Sequence, residues 1–202
     1  MAQSIASLGK TSDHQLSLNI KSVGLTNEQL HRLCSDNPEL KFEVTAEGEL
    51  IVMSPTGSKT GIRNSKLTTR LLNWAETDGT GVCFDSSTLF ALPNGAKRSP
   101  DASWIHLDRW NALSENEQED FAPICPDFVV ELRSKSDRLK PLQKKMAEYI
   151  KNGAQLGWLI DPENRRVHIY RPNQDVEILD NPDSLNGETV LPGFVLNLSD
   201  IW

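Results

Sequence analysis

At 202 residues, 38% hydrophobic and 24% charged, the chain is long enough for one domain with a sizeable core, alone or behind a short extension. No run approaches the ~20 apolar residues of a membrane span and no apolar signal core opens the sequence, so a soluble cytoplasmic protein without a membrane partner is expected. A net charge of −7 counts against a general nucleic-acid binder, and Cys34, Cys83 and Cys125 with four scattered histidines give zinc, disulfide and Ser-His-Asp readings no local support.

Residues 1 to about 22 are polar, Ser-rich and without period, and are expected to form a flexible N-terminal arm before a single domain over 23–202. Thr26-Asn27-Glu28-Gln29 carries a capping-box pattern and should open a short helix to about Ser35. Leu40–Thr45 and Glu49–Met53 flank Ala46-Glu47-Gly48 and read as an antiparallel hairpin, closed by Ser54-Pro55-Thr56-Gly57. From Lys59 to Asp78, Leu67, Leu71, Trp74 and Ala75 recur at helical spacing. Lys59, Arg63, Lys66 and Arg70, at steps of four, three and four, form a basic stripe beside that apolar face. Such a stripe is ordinarily a solvated face; its functional reading is phosphate contact.

After Gly79-Thr80-Gly81, Val82–Phe84 and Thr88–Leu92 read as short strands, and Pro93–Arg98 as a turn. Pro100-Asp101 then opens a strand over Ala102–His106, with the acid at its entrance. Leu107 to about Phe121 reads as polar helical turns carrying an acidic patch at Glu115, Glu117, Glu119 and Asp120. Phe128-Val129-Val130 marks a buried strand, and inside it sits Glu131. An isolated buried carboxylate costs several kcal/mol or is protonated, so Glu131 requires a cation: Arg133 two residues on, another base, or a metal. Without further evidence a strand-end ion pair is an equally good account.

Leu139–Asn152 carries Leu142, Met146, Tyr149 and Ile150 on one helical stripe ended by Gly153. In 100° steps Lys145 falls at the edge of that stripe and can reach inward, whereas Lys144 points to solvent. Leu156–Ile160 follows closely enough to make a strand–helix–strand crossover with the Glu131 strand. Arg166–Tyr170 and Asp175–Leu179 should pair as a hairpin, and the apolar ending Ile201-Trp202 implies a docked C-terminal segment.

An acid after Pro at a strand start, then about thirty residues later an acid in an apolar strand with a base two residues on, then a basic helix, resembles the PD-(D/E)xK nucleases; here the pieces are Pro100-Asp101 and Glu131-Leu132-Arg133. More closely, the chain resembles the Uma family of restriction-endonuclease-like proteins over about residues 25–202. The matching text is Phe42-Glu43, Gly48-Glu49-Leu50 and Met53–Gly57; Pro100-Asp101; Phe128–Glu131 with Ser134 and Ser136-Asp137; Lys145 four before Tyr149; Gly153, Trp158 and Asp161-Pro162; and Leu191–Phe194. The fold this implies is α/β (α+β): a restriction-endonuclease-like mixed β-sheet flanked by helices, with an N-terminal β-hairpin.

The activity it implies is Mg²⁺-dependent hydrolysis of DNA phosphodiester bonds, with Mn²⁺ as a substitute ion and RNA as the other candidate substrate. A hard divalent cation takes one or two carboxylates, a backbone carbonyl and waters, polarises a phosphoryl oxygen and lowers the pKa of attacking water. Asp101 and Glu131 fit as ligands, the Leu132 carbonyl as a third, and Glu43 as an accessory or orienting group. Arg133 stands where the superfamily carries Lys; it cannot take a proton from water but can hold a phosphate through two hydrogen bonds. Lys145 is the candidate replacement base, and Lys59, Arg63, Lys66 and Arg70 the candidate backbone contacts. Thr60 stands where many relatives carry His. The alternative function is a catalytically degenerate nuclease fold that binds nucleic acid or another partner. A homodimer is implied by analogy with nucleases that pair to cut two strands.

Overall fold

The computed structural model describes residues 15–202, and its elements assemble around two large β-sheets, one two-stranded sheet and two long helices. In chain order they begin with β1 (Gln15–Asn19), α1 (Asn27–Asp36), β2 (Lys41–Val44), β3 (Glu49–Met53) and α2 (Ser58–Asp78). Next come β4 (Gly81–Asp85), β5 (Phe90–Ala91), β6 (Lys97–Arg98), β7 (Ala102–His106), α3 (Leu107–Trp110) and α4 (Glu115–Glu119). The remainder is β8 (Phe128–Leu132), α5 (Leu139–Lys151), β9 (Leu156–Asp161), β10 (Arg166–Tyr170), β11 (Glu177–Asp180), β12 (Ser184–Asn186) and β13 (Val195–Asn197).

The first sheet has the order β1-β3-β2-β6-β5. Its centre is the expected hairpin, with Phe42 opposite Val52 and Glu43 opposite Ile51, and with Gly48 at φ 82 in the turn. The arm expected over residues 1–22 differs from the structure at Gln15–Asn19, which pairs antiparallel with β3, Leu16 opposite Val52. The alternating Leu16-Ser17-Leu18 suits an open sheet edge, a long-range opportunity that composition does not show. Residues 1–14 of that expectation lie outside the described residues. The turn expected over Pro93–Arg98 is shorter: Lys97 and Arg98 form β6, pairing with β5 and with Val44 of β2.

The second sheet has the order β11-β10-β9-β8-β7-β4. β8 and β9 are parallel, Glu131 opposite Leu159, and α5 makes the crossover between them; the other pairings are antiparallel. All five residues of β8 are buried, as both faces of a central strand require. Alternation sends Phe128, Val130 and Leu132 toward Leu67, Leu71 and Ala75 of α2 and toward Trp104, Trp158 and Phe194. Val129 points the other way, into Met146 and Tyr149 of α5, and Glu131 shares that face. Each buried aliphatic or aromatic side chain contributes about 1.5–3 kcal/mol, so the sheet's anchoring comes from these two layers. Gly157 of β9 makes room for the tip of Met146 of α5, since a Cβ there would lie 2.5 Å from Met146 Cε.

Candidate active site

β7 and β8 pair with Ala102 opposite Val130, which sets Asp101 beside the carboxyl end of β8. The Asp101 N–H donates to the Val130 carbonyl at 3.0 Å, and its Oδ2 accepts from the Leu132 N–H at 2.7 Å. Backbone bonds to the residues on either side of Glu131 thus hold this carboxylate in place, and Asn64 of α2 donates to its Oδ1 at 3.2 Å. The Pro-Asp at the strand entrance is a register-locked pair with the strand carrying Glu131.

Glu131 is only 4% exposed and meets α5. Lys145 Nζ lies 2.7 Å from its Oε1, and the Tyr149 hydroxyl donates to the same oxygen at 3.1 Å. Lys145 Nζ also lies 2.6 Å from Glu43 Oε1 and donates to the Ser99 carbonyl at 3.1 Å, so three acceptors face its three N–H bonds. Glu43, 3% exposed, further accepts from the Ser99 N–H at 3.0 Å and from Arg98 Nη1 at 3.0 Å. The Arg98 Nε lies 2.6 Å from Glu148 Oε2, tying β6 to α5.

Four carboxylates, Glu43, Asp101, Glu131 and Glu148, therefore face three cations, Lys145 and Arg98 within the cluster and Lys41 acting on Asp101. The imbalance appears in their acidities. Burial, reinforced by the charges of Asp101 and Glu43, pushes Glu131 up to about 8 despite Lys145. Burial also raises Asp101 against the Leu132 N–H and Lys145. Glu43 moves the other way, because Lys145 and Arg98 outweigh the burial that would raise it. Glu131 and Glu43 hold Lys145 above its ordinary value although burial opposes them, so this ammonium stays protonated.

Two carboxylates raised by burial in an acid-rich cluster are the donor set that a hard divalent cation suits. Among the described residues no three His, Cys, Asp or Glu side chains gather at metal-binding range, so such an ion would complete its shell with neutral oxygens.

Glu43, Asp101, Glu131 and Lys145 converge, with the Leu132 N–H on Asp101, while Lys144 faces solvent. The structure does not bring Arg133 to this group. Regular alternation ends with β8 at Leu132, and Arg133 turns to Asp161, Nη1 to Oδ2 2.7 Å, and to the Asp137 carbonyl at 3.1 Å. The cation beside Glu131 is Lys145 instead. The stripe on α2 divides: Lys66 lies 3.7 Å from Asp200 Oδ1, and Arg70 pairs with Asp200 and the Asn197 carbonyl. Among the described residues neither Lys59 nor Arg63 is ion-paired. Sequence reasoning missed Asn64, Arg98, Glu148 and Tyr149 as neighbours of these groups. The available signals were the adjacency of Arg98 to Ser-Pro-Asp and the one-turn spacing of Glu148 and Tyr149 from Lys145.

The chain is similar in fold to a solved structure described as a "putative nuclease belonging to DUF820" from Anabaena variabilis ATCC 29413, with TM-score 0.72 at 23% identity over 88% of this chain and 97% of that one. A second structure, a DrdV–DNA complex, matches 60% of this chain and 10% of its own at 18% identity with TM-score 0.37. No curated protein matches the chain. The shared fold is the mixed α+β arrangement the sequence implies, with the strand pair at its N-terminal side. A family model described as "Putative restriction endonuclease" matches residues 27–199, and the chain accordingly belongs to the Uma2 family.

Proposed function

We propose that the protein is a divalent-cation-dependent endonuclease that hydrolyses DNA phosphodiester bonds, acting in the cytoplasm as a homodimer of its 23–202 domain. The observation that carries this reading is the convergence of Asp101 and Lys145 on Glu131 in a buried cluster with more acid than base. Such a pairing of raised carboxylates with a fixed ammonium has less use in a scaffold than in a reaction centre.

Asp101 and Glu131 would hold the ion, with the Leu132 carbonyl as a backbone candidate. A Mg²⁺ or Mn²⁺ held there would supply Lewis acidity, polarising the phosphoryl oxygen and lowering the pKa of attacking water. Lys145, kept protonated by its two carboxylates, supplies fixed positive charge to the phosphoryl group as negative charge develops; it does not remove a proton. This narrows the general-base role that the sequence suggested for it. Glu43 orients Lys145, and Arg98 holds Glu43 while binding Glu148 on the helix that carries Lys145. Lys59 and Arg63 contact the DNA backbone, and Lys66 and Arg70 extend that track once freed from Asp200. Arg133 acts as an anchor through Asp161.

One observation favours a second reading, a catalytically silent nuclease fold that binds nucleic acid: all three Lys145 donors are matched within the protein. Cleavage of supercoiled plasmid in Mg²⁺ or Mn²⁺, with chelator and Glu131→Gln controls, separates the two. Metal-dependent nicking that falls about 10²–10³-fold in the variant supports the nuclease. Absence of nicking by a wild-type protein that still shifts DNA supports the silent fold.

A further inference from the structure

Asn64 projects from α2 toward Asp101, its Nδ2 donating to Asp101 Oδ1 at 3.2 Å. The other atom of the same amide, Oδ1, is buried and has no hydrogen-bond partner among the described residues. A buried acceptor left unmatched is destabilising, a penalty that an apolar residue on this helix would not incur. Turning the amide over does not relieve it, because its oxygen would then face the Asp101 carboxylate. The fold therefore holds a bare, hard oxygen beside Asp101, at the edge of the cluster containing Glu131.

We propose that Asn64 Oδ1 is a third protein oxygen donor of the cation site formed by Asp101 and Glu131. The assignment rests on the reading of those two residues as cation ligands and extends it to a residue of the preceding helix. A carbonyl oxygen is a donor that hard divalent ions accept. Being neutral, it enlarges the donor set without adding another buried charge to a cluster that already has more acid than base. The Nδ2 bond to Asp101 fixes the rotation of the amide, so one side chain both steadies a carboxylate ligand and offers an oxygen of its own.

The test is Mn²⁺ binding to the full chain, followed by calorimetry, for the wild type and for Asn64→Ala, Asn64→Asp and Asp101→Asn, with thermal melts in chelator confirming that each is folded. The expected result is binding weakened about tenfold or more in Asn64→Ala, largely restored in Asn64→Asp, and lost in Asp101→Asn. Wild-type affinity in Asn64→Ala overturns the assignment while leaving Asp101 as a ligand. Weaker binding in Asn64→Asp than in Asn64→Ala also overturns it, since that order belongs to a residue needed only as a donor to Asp101. Absence of Mn²⁺ binding by the wild type overturns both this assignment and the cation reading beneath it.

Discussion

Lys145 Nζ lies 2.7 Å from Glu131 Oε1, bridging the helix and strand of the central crossover. The same ammonium faces Glu43, so replacing it strips two buried carboxylates of a shared partner. Lys145→Met should lower stability by about 3–5 kcal/mol, the cost of breaking a buried pair. Chemical unfolding in chelator at about pH 9, above the value of about 8 to which Glu131 is raised, measures this, and a loss under about 1 kcal/mol there would refute it.

Arg98 serves two acids where Glu148 serves one cation of the cluster. Arg98→Ala should therefore cost more stability than Glu148→Ala, which leaves Arg98 its bond to Glu43. Arg98→Lys should not fully restore the loss, because a single ammonium cannot reproduce the fork reaching both carboxylates. The ranking of the three unfolding midpoints at constant m-value tests this; equal midpoints for both alanine variants would refute it.

Asp161 is 1% exposed, and hydrogen bonds from Asn164 and Arg133 together with the Arg133 charge outweigh the burial that would raise it, holding it below the ordinary carboxylate value. Its folded pKa is thus below the unfolded value of about 3.9, so its contribution to stability is present above about pH 4 and lost as pH falls through the folded value. Asp161→Asn should be less stable than the wild type at neutral pH, with the gap closing on acidification below about pH 4. Paired denaturation curves from pH 3 to pH 7 would show the convergence, and a gap that persists at low pH counts against it.

Asp200 neutralises part of the α2 stripe by pairing with Lys66 and Arg70. Asp200→Ala should tighten DNA binding and steepen the dependence of log affinity on log salt by about 0.9 for each additional phosphate neutralised. The fold should be little affected, since ion pairs this open to solvent are screened and add little to stability. An unchanged salt slope would place Lys66 and Arg70 outside the DNA path.

Local periodicity made the crossover and its charged residues legible. The apolar run Phe128–Val130 marks a buried strand with one carboxylate in it, and the angle of Lys145 on its helix indicates an inward reach. Arg133 was misleading for a local reason: alternation predicts side-chain direction only while a strand continues, and β8 ends at Leu132. Arg98 could not be placed from sequence because its position comes from β6, two residues whose pairing partners are remote. The partition of the α2 stripe was equally hidden, since the acid that meets Arg70 lies 130 residues away. Asn64 has no compositional signal; its bond to Asp101 and an amide oxygen unmatched among the described residues distinguish it.

The bare backbone at Gly157 leaves a berth for the tip of the methionine on the helix above it, Met146 Cε lying 2.5 Å from where a Cβ would stand. The next residue toward the N-terminus is Lys145, so the berth lies directly beneath the charged centre. The displaced atom is the end of a flexible thioether, so a methyl group placed there would turn the methionine tip aside rather than lift the helix. The floor beneath the buried charges is thereby compliant, while the charges themselves are fixed by their own partners.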